Sequence, residues 1–136
     1  MVYMHTFISA GVLITSVRGQ NPALQQRALA VLNDPQREFA SSEFVKLEVL
    51  PKAVWVRNQA ELAFYERFFN GVSHWPDNND DVIARAHFEA AAYGLGTVDA
   101  LHIAAAALLG VAELVTIETP TKSIHRTRSI RVVTLR

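Results

Sequence analysis

The stretch YGLGTVDALHIAAAA, residues 93–107, decides the fold. Its two glycines are predicted to end one helix, and Thr97 is predicted to cap the next by accepting a free backbone N–H group. Asp99 falls in the first turn of that helix, where the helix dipole stabilises a carboxylate, and His102 follows on the same face. The alanines that follow allow close packing. Asp99 is therefore the first candidate site residue; the alternative is that it only serves the helix end.

Composition predicts one globular domain, residues 1–136, in which 50% of the residues are hydrophobic and 19% are charged. Thirteen basic residues balance thirteen acidic ones, so net charge argues neither for nor against a nucleic-acid partner. The chain has no cysteine, which excludes disulfides and thiolate metal sites and fits the cytoplasm. No apolar run approaches the ~20 residues of a membrane span, and no signal peptide is recognised. We therefore expect a cytoplasmic protein with no membrane partner.

Predicted strands and helices alternate along the chain, which is typical of a parallel sheet covered on both faces. The prediction is a three-layer α/β/α fold with an open parallel sheet of four or five strands. The helix that follows residue 42 is expected to kink or divide at Pro51. The predicted strands are residues 2–8, 38–41, 112–117 and 130–135, with a minor strand at 73–75, and the predicted helices are residues 12–19, 21–32, 42–56, 61–69, 82–93 and 97–110.

Three acidic residues are predicted to meet at one edge of this sheet. Glu118 follows a strand, Asp99 opens a helix that enters the edge, and Glu48 lies within an apolar helix. Clustered carboxylates raise one another's pKa, and a hard divalent cation such as Mg²⁺ or Mn²⁺ relieves the repulsion. The pattern therefore indicates a metal-assisted site for phosphodiester chemistry. The alternative is three unrelated surface acids paired with arginine or lysine.

Three stretches, spread along the chain between residues 6 and 118, carry a resemblance to a known family. The sequence resembles the PIN-domain family, which includes the ribonuclease toxins of toxin–antitoxin pairs. The resemblance implies one or two Mg²⁺ or Mn²⁺ ions held by acidic side chains, with RNA cut by metal-activated water. The stretches are TFISAGVLITSVRG (6–19), SSEFVKLEVLPKA (41–53) and GLGTVDALHIAAAALLGVAELVTIE (94–118).

The family's acidic positions transfer to this chain with one exception. Glu48, Asp99 and Glu118 match the second, third and fourth acids, and Thr116 matches a hydroxyl residue near the fourth. The first acid, an aspartate at the end of the first strand, is replaced by Ser9. The resemblance thus implies weaker metal binding and reduced or absent hydrolysis. The alternative is that the three remaining acids still hold one ion, with water in the vacant position.

Other residues are weaker candidates. His102 could support the site, although a packed structural histidine is the commoner case, and Lys52 and Arg126 could contact RNA phosphates rather than only solvent. Trp55 and Trp75 are expected to pack in the core or at a dimer interface. The resemblance also implies an antitoxin partner and a homodimer. Three functions stay open: a metal-dependent RNA endonuclease, a degenerate PIN module that binds RNA or protein without cutting, or a structural or regulatory homo-oligomer with no nucleic-acid role.

Overall fold

The chain folds around a four-stranded parallel sheet. The structure is a computed structural model that describes residues 2–136. Its strands are β1 (Met4–Ile8), β2 (Arg37–Ala40), β3 (Glu113–Thr116) and β4 (Val132–Thr134), and its helices are α1 (Ala10–Arg18), α2 (Pro22–Leu32), α3 (Glu43–Trp55), α4 (Gln59–Asn70), α5 (Asn79–Tyr93) and α6 (Thr97–Leu109), with a 3₁₀ helix at Ser123–Arg126.

The strand order is β2-β1-β3-β4, and every pairing is parallel. The predicted three-layer α/β/α class is confirmed, with four strands. The expected minor strand at residues 73–75 is reduced to a single parallel bridge between Ala40 and His74 beside β2. The carboxyl ends of β1 and β3, the two central strands, lie side by side.

The core is built on those two central strands and on α6. Phe7, Ile8 and Leu114 are completely buried, as expected for parallel strands covered on both faces. In α6, Ile103 and the three alanines at 104–106 are likewise completely buried. The small alanine side chains let this helix lie close to its neighbours. The elements that carry the sheet edge are therefore held by the best-packed part of the molecule.

The start of α1 differs from the prediction. The helix begins at Ala10, two residues before the predicted start at residue 12, so Gly11 is a helical residue. A Cβ at Gly11 would lie 2.8 Å from Ile117 Cγ1, just past the end of β3. Gly11 is required for close approach of the helix to the sheet and not for backbone freedom.

The corner between α5 and α6 is made by Gly94, whose φ of 66° is left-handed and ends α5. Gly96 is the N-cap of α6, and Thr97 is the first helical residue without a side-chain cap, so the predicted cap at Thr97 is wrong. Within residues 2–136, no single helix is long and apolar enough to cross a membrane, and α5 and α6 meet those criteria only as a pair bent by 115°.

Helix α3 runs through Pro51 as one element, not as two abutting helices. Pro51 lies on the solvent side of α3, where water can satisfy the carbonyl that loses its N–H partner. Trp55 does not pack in the core, because it is 85% exposed near the end of α3, and the alternative of a dimer interface stays a prediction. Trp75 does pack against the core, with its ring 6.1 Å from that of Phe69.

A buried carboxylate, Glu61, fastens α4 to α1 and gives a stability prediction. Glu61 accepts from Tyr65 Oη at 2.6 Å and from Arg18 Nε at 2.8 Å. Glu61→Ala leaves the fully buried Tyr65 hydroxyl without an acceptor, so we expect a loss of about 2–3 kcal/mol in the free energy of unfolding. Urea unfolding measures it, with Glu66→Ala on the exposed face of α4 as control. Equal stability of the two variants would contradict a structural role for Glu61.

Candidate metal centre

A small pocket of about 70 Å³ opens at the carboxyl ends of β1 and β3. Ser9 follows β1 directly, Thr116 is the last residue of β3, and α6 begins beside them. This is the edge at which open parallel sheets bind ligands. The pocket is lined by Ser9, Ala10, Gly11, Glu48, Val98, Asp99, His102, Thr116, Ile117, Glu118 and Ile124.

The structure brings Glu48, Asp99 and Glu118 to this one pocket. Glu48 comes from α3, Asp99 from the first turn of α6 and Glu118 from the segment after β3, so three distant parts of the sequence meet. Their carboxylate oxygens are spread around the pocket. Among residues 2–136, no three potential metal-ligand atoms in this pocket all lie within 4.8 Å of one another. The three acids therefore line one pocket but do not form a preformed three-ligand cluster.

Asp99 has a carboxylate whose pKa is shifted by its surroundings. Burial raises the pKa of Asp99, and repulsion from Glu118 and Glu48 raises it further, while His102 and His125 act in the opposite direction. Both neighbouring acids therefore act electrostatically on Asp99. A cation placed in the pocket would remove this penalty, because it favours the charged form of every carboxylate that faces it.

His102 holds Glu48 in position. The imidazole is 3% exposed, and its Nε2 contacts Glu48 Oε1 directly. Its ring centroid lies 5.9 Å from that of Phe7, and its Nδ1 is buried without a hydrogen-bond partner. Glu48 thus has the partner that a carboxylate in an apolar helix needs. The helix is less buried there than expected, because the Glu48 side chain is 35% exposed and Leu47 is 68% exposed.

Ser9 is a buried hydroxyl with no partner. It is 8% exposed, and its Oγ makes no hydrogen bond, although its backbone N–H donates to Val115 O at 3.1 Å. Ser9 is also the N-cap residue of α1, yet its side chain does not cap the helix. An uncommitted oxygen and three carboxylates form a donor set that fits a hard cation such as Mg²⁺ or Mn²⁺.

Thr116 and His125 fix the segment that carries Glu118. The Thr116 hydroxyl accepts from the Glu118 backbone N–H at 3.1 Å, and His125 Nε2 donates to the Glu118 carbonyl at 3.0 Å. Sequence reasoning included Thr116 but did not select His125. In the sequence, His125 stands out only as part of a stretch rich in arginine and lysine. Its contact with Glu118 forms because the 3₁₀ helix brings residue 125 back beside the segment after β3.

Lys52 and Arg126 lie outside the pocket lining. Lys52 is exposed on α3 one turn beyond Glu48, on the same side of the helix. Arg126 is exposed, and its Nη1 donates to Gly94 O at 3.4 Å at the α5–α6 corner. The structure thus places both cations outside the pocket lining, with solvent access.

Comparison with known proteins gives a consistent fold. A toxin–antitoxin complex from Klebsiella pneumoniae contains a chain with 21% identity and a TM-score of 0.73 over 96% of this chain and 98% of that one. DNA-bound VapBC from Salmonella typhimurium contains a chain with 18% identity and a TM-score of 0.68 over the whole of both chains. VapBC2 from Rickettsia felis, bound to a promoter DNA fragment, contains a chain with 12% identity and a TM-score of 0.69, over 96% of this chain and 98% of that one.

No protein-family model matches the sequence, and no curated protein matches it significantly. At identities of 12–21%, the structural likeness shows the fold alone. The likeness spans nearly all of each chain, so it covers the sheet, the α5–α6 corner and the edge that carries the pocket. The chain has a PIN-like α/β fold, shared with chains of VapBC toxin–antitoxin complexes.

Proposed function

We propose that the chain is the toxin-like component of a toxin–antitoxin pair and an RNA endonuclease that depends on Mg²⁺ or Mn²⁺. The observation that carries the proposal is the meeting of Glu48, Asp99 and Glu118 in one pocket at the sheet edge. Three acids from separate elements have no structural reason to face each other. Their mutual repulsion is instead the expected cost of a site built for a cation.

Glu48, Asp99 and Glu118 are the proposed metal ligands, with Ser9 Oγ as a weak neutral one. A bound divalent ion would supply Lewis-acid stabilisation of a phosphate and a water of lowered pKa. His102 acts through Glu48, because its buried ring fixes where that carboxylate points. Thr116 does the same for the backbone of Glu118. Lys52 and Arg126 are proposed to attract the RNA backbone from outside the pocket.

A second candidate function is favoured by Ser9. Replacing a carboxylate with a hydroxyl removes one negative charge from the pocket, and a neutral hydroxyl is a poorer ligand for Mg²⁺. In this alternative the chain is a PIN module that binds RNA or a protein partner without cutting. The two candidates share the fold and the pocket and differ in whether the three remaining carboxylates retain a metal ion strongly enough.

The exposed apolar side chains of α3 support the proposal of a protein partner. Leu47 is 68% exposed, Val54 58% and Trp55 85%, on the helix that also carries Glu48. Large apolar side chains grouped on one exposed helix are typical of an interaction surface. An antitoxin or a second copy of the chain that covered this surface would also reach the rim of the pocket.

The experiment that separates the two functions is RNA cleavage by the purified, untagged chain with Mn²⁺, with EDTA as the matched control. We expect cleavage with Mn²⁺ and none with EDTA. RNA that stays intact while binding in a salt-dependent manner would favour the non-cutting module. Neither cleavage nor binding would remove the nucleic-acid role.

A prediction for Lys52 and Arg126 follows from their exposed positions outside the pocket lining. Lys52→Ala and Arg126→Ala should each weaken RNA binding by a few-fold, about 0.5–1 kcal/mol per exposed cation, and reduce its salt dependence. Mn²⁺ affinity should stay unchanged in both. Fluorescence anisotropy of labelled RNA at several salt concentrations measures the first, and calorimetry measures the second. A loss of Mn²⁺ binding would show that these residues act inside the pocket instead.

A further inference from the structure

Two histidines and a glutamate, side chains that commonly bind metal ions, lie together at the opposite end of β1 from the pocket. His5 is in β1, Glu38 is its register partner in β2, and His74 is in the segment after α4. His5 precedes Ser9 by four residues, about 13 Å along an extended strand. The group is therefore separate from the carboxylate pocket and shares no residue with it.

The three side chains converge on one carboxylate oxygen. His74 Nε2 lies 2.8 Å from Glu38 Oε2, and His5 Nε2 lies 3.4 Å from the same atom. The two imidazole rings are 4.3 Å apart between centroids. Of the residues that the structure describes, these are the only three whose potential ligand atoms all lie within 4.8 Å of one another.

We propose that His5, Glu38 and His74 bind a transition-metal cation of the Zn²⁺ class. Ligand atoms at about 2.0–2.1 Å from a tetrahedral zinc ion are about 3.4 Å apart, which is the distance from His5 Nε2 to Glu38 Oε2. The shorter contact from His74 requires a movement of only about half an ångström to reach that geometry. Two imidazoles and one carboxylate form a ligand set that zinc accepts, with a fourth position left for water.

A hydrogen bond alone explains only part of this arrangement. The His74–Glu38 contact has hydrogen-bond geometry, but His5 faces the same oxygen at 3.4 Å without forming a hydrogen bond. The side chains of the three residues are between 31% and 42% exposed. That exposure provides an entry path for the ion and room for its water ligand, while the strand backbone fixes two of the three ligands.

The ligand set also separates this site from the carboxylate pocket. Imidazole nitrogens favour zinc and similar ions, whereas oxygen donors alone favour Mg²⁺ and Mn²⁺. A bound ion would join β1, β2 and the segment after α4, and would add a link to β1 to the hydrogen bonds that already tie this segment to β2. It would therefore stabilise the outer edge of the sheet, independently of any nuclease activity.

Calorimetric titration of the untagged full chain with Zn²⁺ tests the proposal, with excess Mg²⁺ present to occupy the carboxylate pocket. We expect one zinc ion per chain and a rise in melting temperature. His5→Gln and His74→Gln should each weaken zinc binding on the order of 10–100-fold. Loss of a residue that only positions a ligand has an effect of this size, and loss of a direct ligand should cost at least as much. His87→Gln, which alters an exposed histidine on α5, is the matched control and should leave the affinity unchanged.

X-ray absorption at the zinc edge of the wild-type complex gives a second measurement that does not depend on how the variants fold. Two imidazole nitrogens and one carboxylate oxygen in the zinc coordination sphere are the expected result. A spectrum with one imidazole or none would overturn the proposal, as would zinc affinity that is equal in the wild type, His5→Gln and His74→Gln. Absence of zinc binding to the wild type would overturn it directly.

Discussion

Asp99→Asn is expected to abolish RNA cleavage and to stabilise the metal-free protein. Loss of a proposed central ligand should lower cleavage at least ~100-fold, because a direct ligand matters at least as much as the outer partners that tune it. The stability effect has the opposite sign. Burial raises the pKa of Asp99, and Glu118 and Glu48 raise it further, so the folded state binds a proton that the unfolded state has already released.

The pH dependence follows from that direction. Between the unfolded and the folded pKa of Asp99, the folded state holds more protons, so stability falls as pH rises through this interval. Above it, the wild type carries the full cost of a charged, half-buried Asp99, and the asparagine variant does not. Thermal melts in EDTA should therefore show a higher melting temperature for Asp99→Asn at neutral pH, with the difference shrinking as the pH approaches the unfolded pKa.

The matched control for this variant is Asp80→Asn. Asp80 also lies in the first turn of a helix, but in α5, exposed and outside the pocket. The Asp80→Asn variant therefore loses only a favourable helix-dipole interaction, and its melting temperature should fall slightly. Cleavage by Asp80→Asn should equal that of the wild type. If Asp99→Asn lowered stability as much as Asp80→Asn does, Asp99 would be a helix-end residue only.

Ser9→Asp should strengthen Mn²⁺ binding by about tenfold or more and raise cleavage in proportion, where tenfold corresponds to about 1.4 kcal/mol. The new carboxylate would replace a buried hydroxyl that has no partner and lines the pocket. Aspartate suits this backbone position, because Ser9 is the N-cap of α1 and a carboxylate there is favoured by the helix dipole. Calorimetry with Mn²⁺ measures the affinity.

Ser9→Asn separates charge from shape. It has nearly the same size as aspartate and can cap α1, but it adds no negative charge to the pocket. We expect Mn²⁺ affinity close to that of the wild type for Ser9→Asn. If both variants bound Mn²⁺ equally well, the serine would not be the feature that limits metal binding. If Ser9→Asp alone cut RNA, the native chain would be the non-cutting module.

The sequence predicted the fold well because its strands and helices alternate with clear ends. Asn21 and Pro22 mark the start of α2 correctly, with the Asn21 side chain accepting from two backbone N–H groups. The strand that precedes Glu118 was also placed within one residue at each end. In these segments, local propensity and tertiary packing favour the same structure.

The errors occur where long-range packing decides the local structure. Gly11 lies within α1, where a Cβ would meet the side chain of Ile117, more than a hundred residues away in sequence. Pro51 is accommodated within α3 because that side of the helix faces solvent, and the same helix leaves Trp55 outside the core. None of these environments can be read from neighbouring residues.

The two candidate sites differ in how visible they are in the sequence. The carboxylate pocket was predictable, since strand ends and a helix start place Glu118 and Asp99 at one sheet edge. The group of His5, Glu38 and His74 was not predictable, because it depends on the register between β1 and β2 and on the single bridge between Ala40 and His74. A histidine in a strand gives no signal of its own until its cross-strand neighbours are known.

The central claim is that Glu48, Asp99 and Glu118 together bind a divalent metal ion, and a crystal soaked in Mn²⁺ tests it most directly. We expect an anomalous difference peak in the pocket between the three carboxylates, lost in Asp99→Asn crystals. Well-ordered carboxylates at the positions described, with no manganese peak among them at saturating Mn²⁺, would contradict the claim.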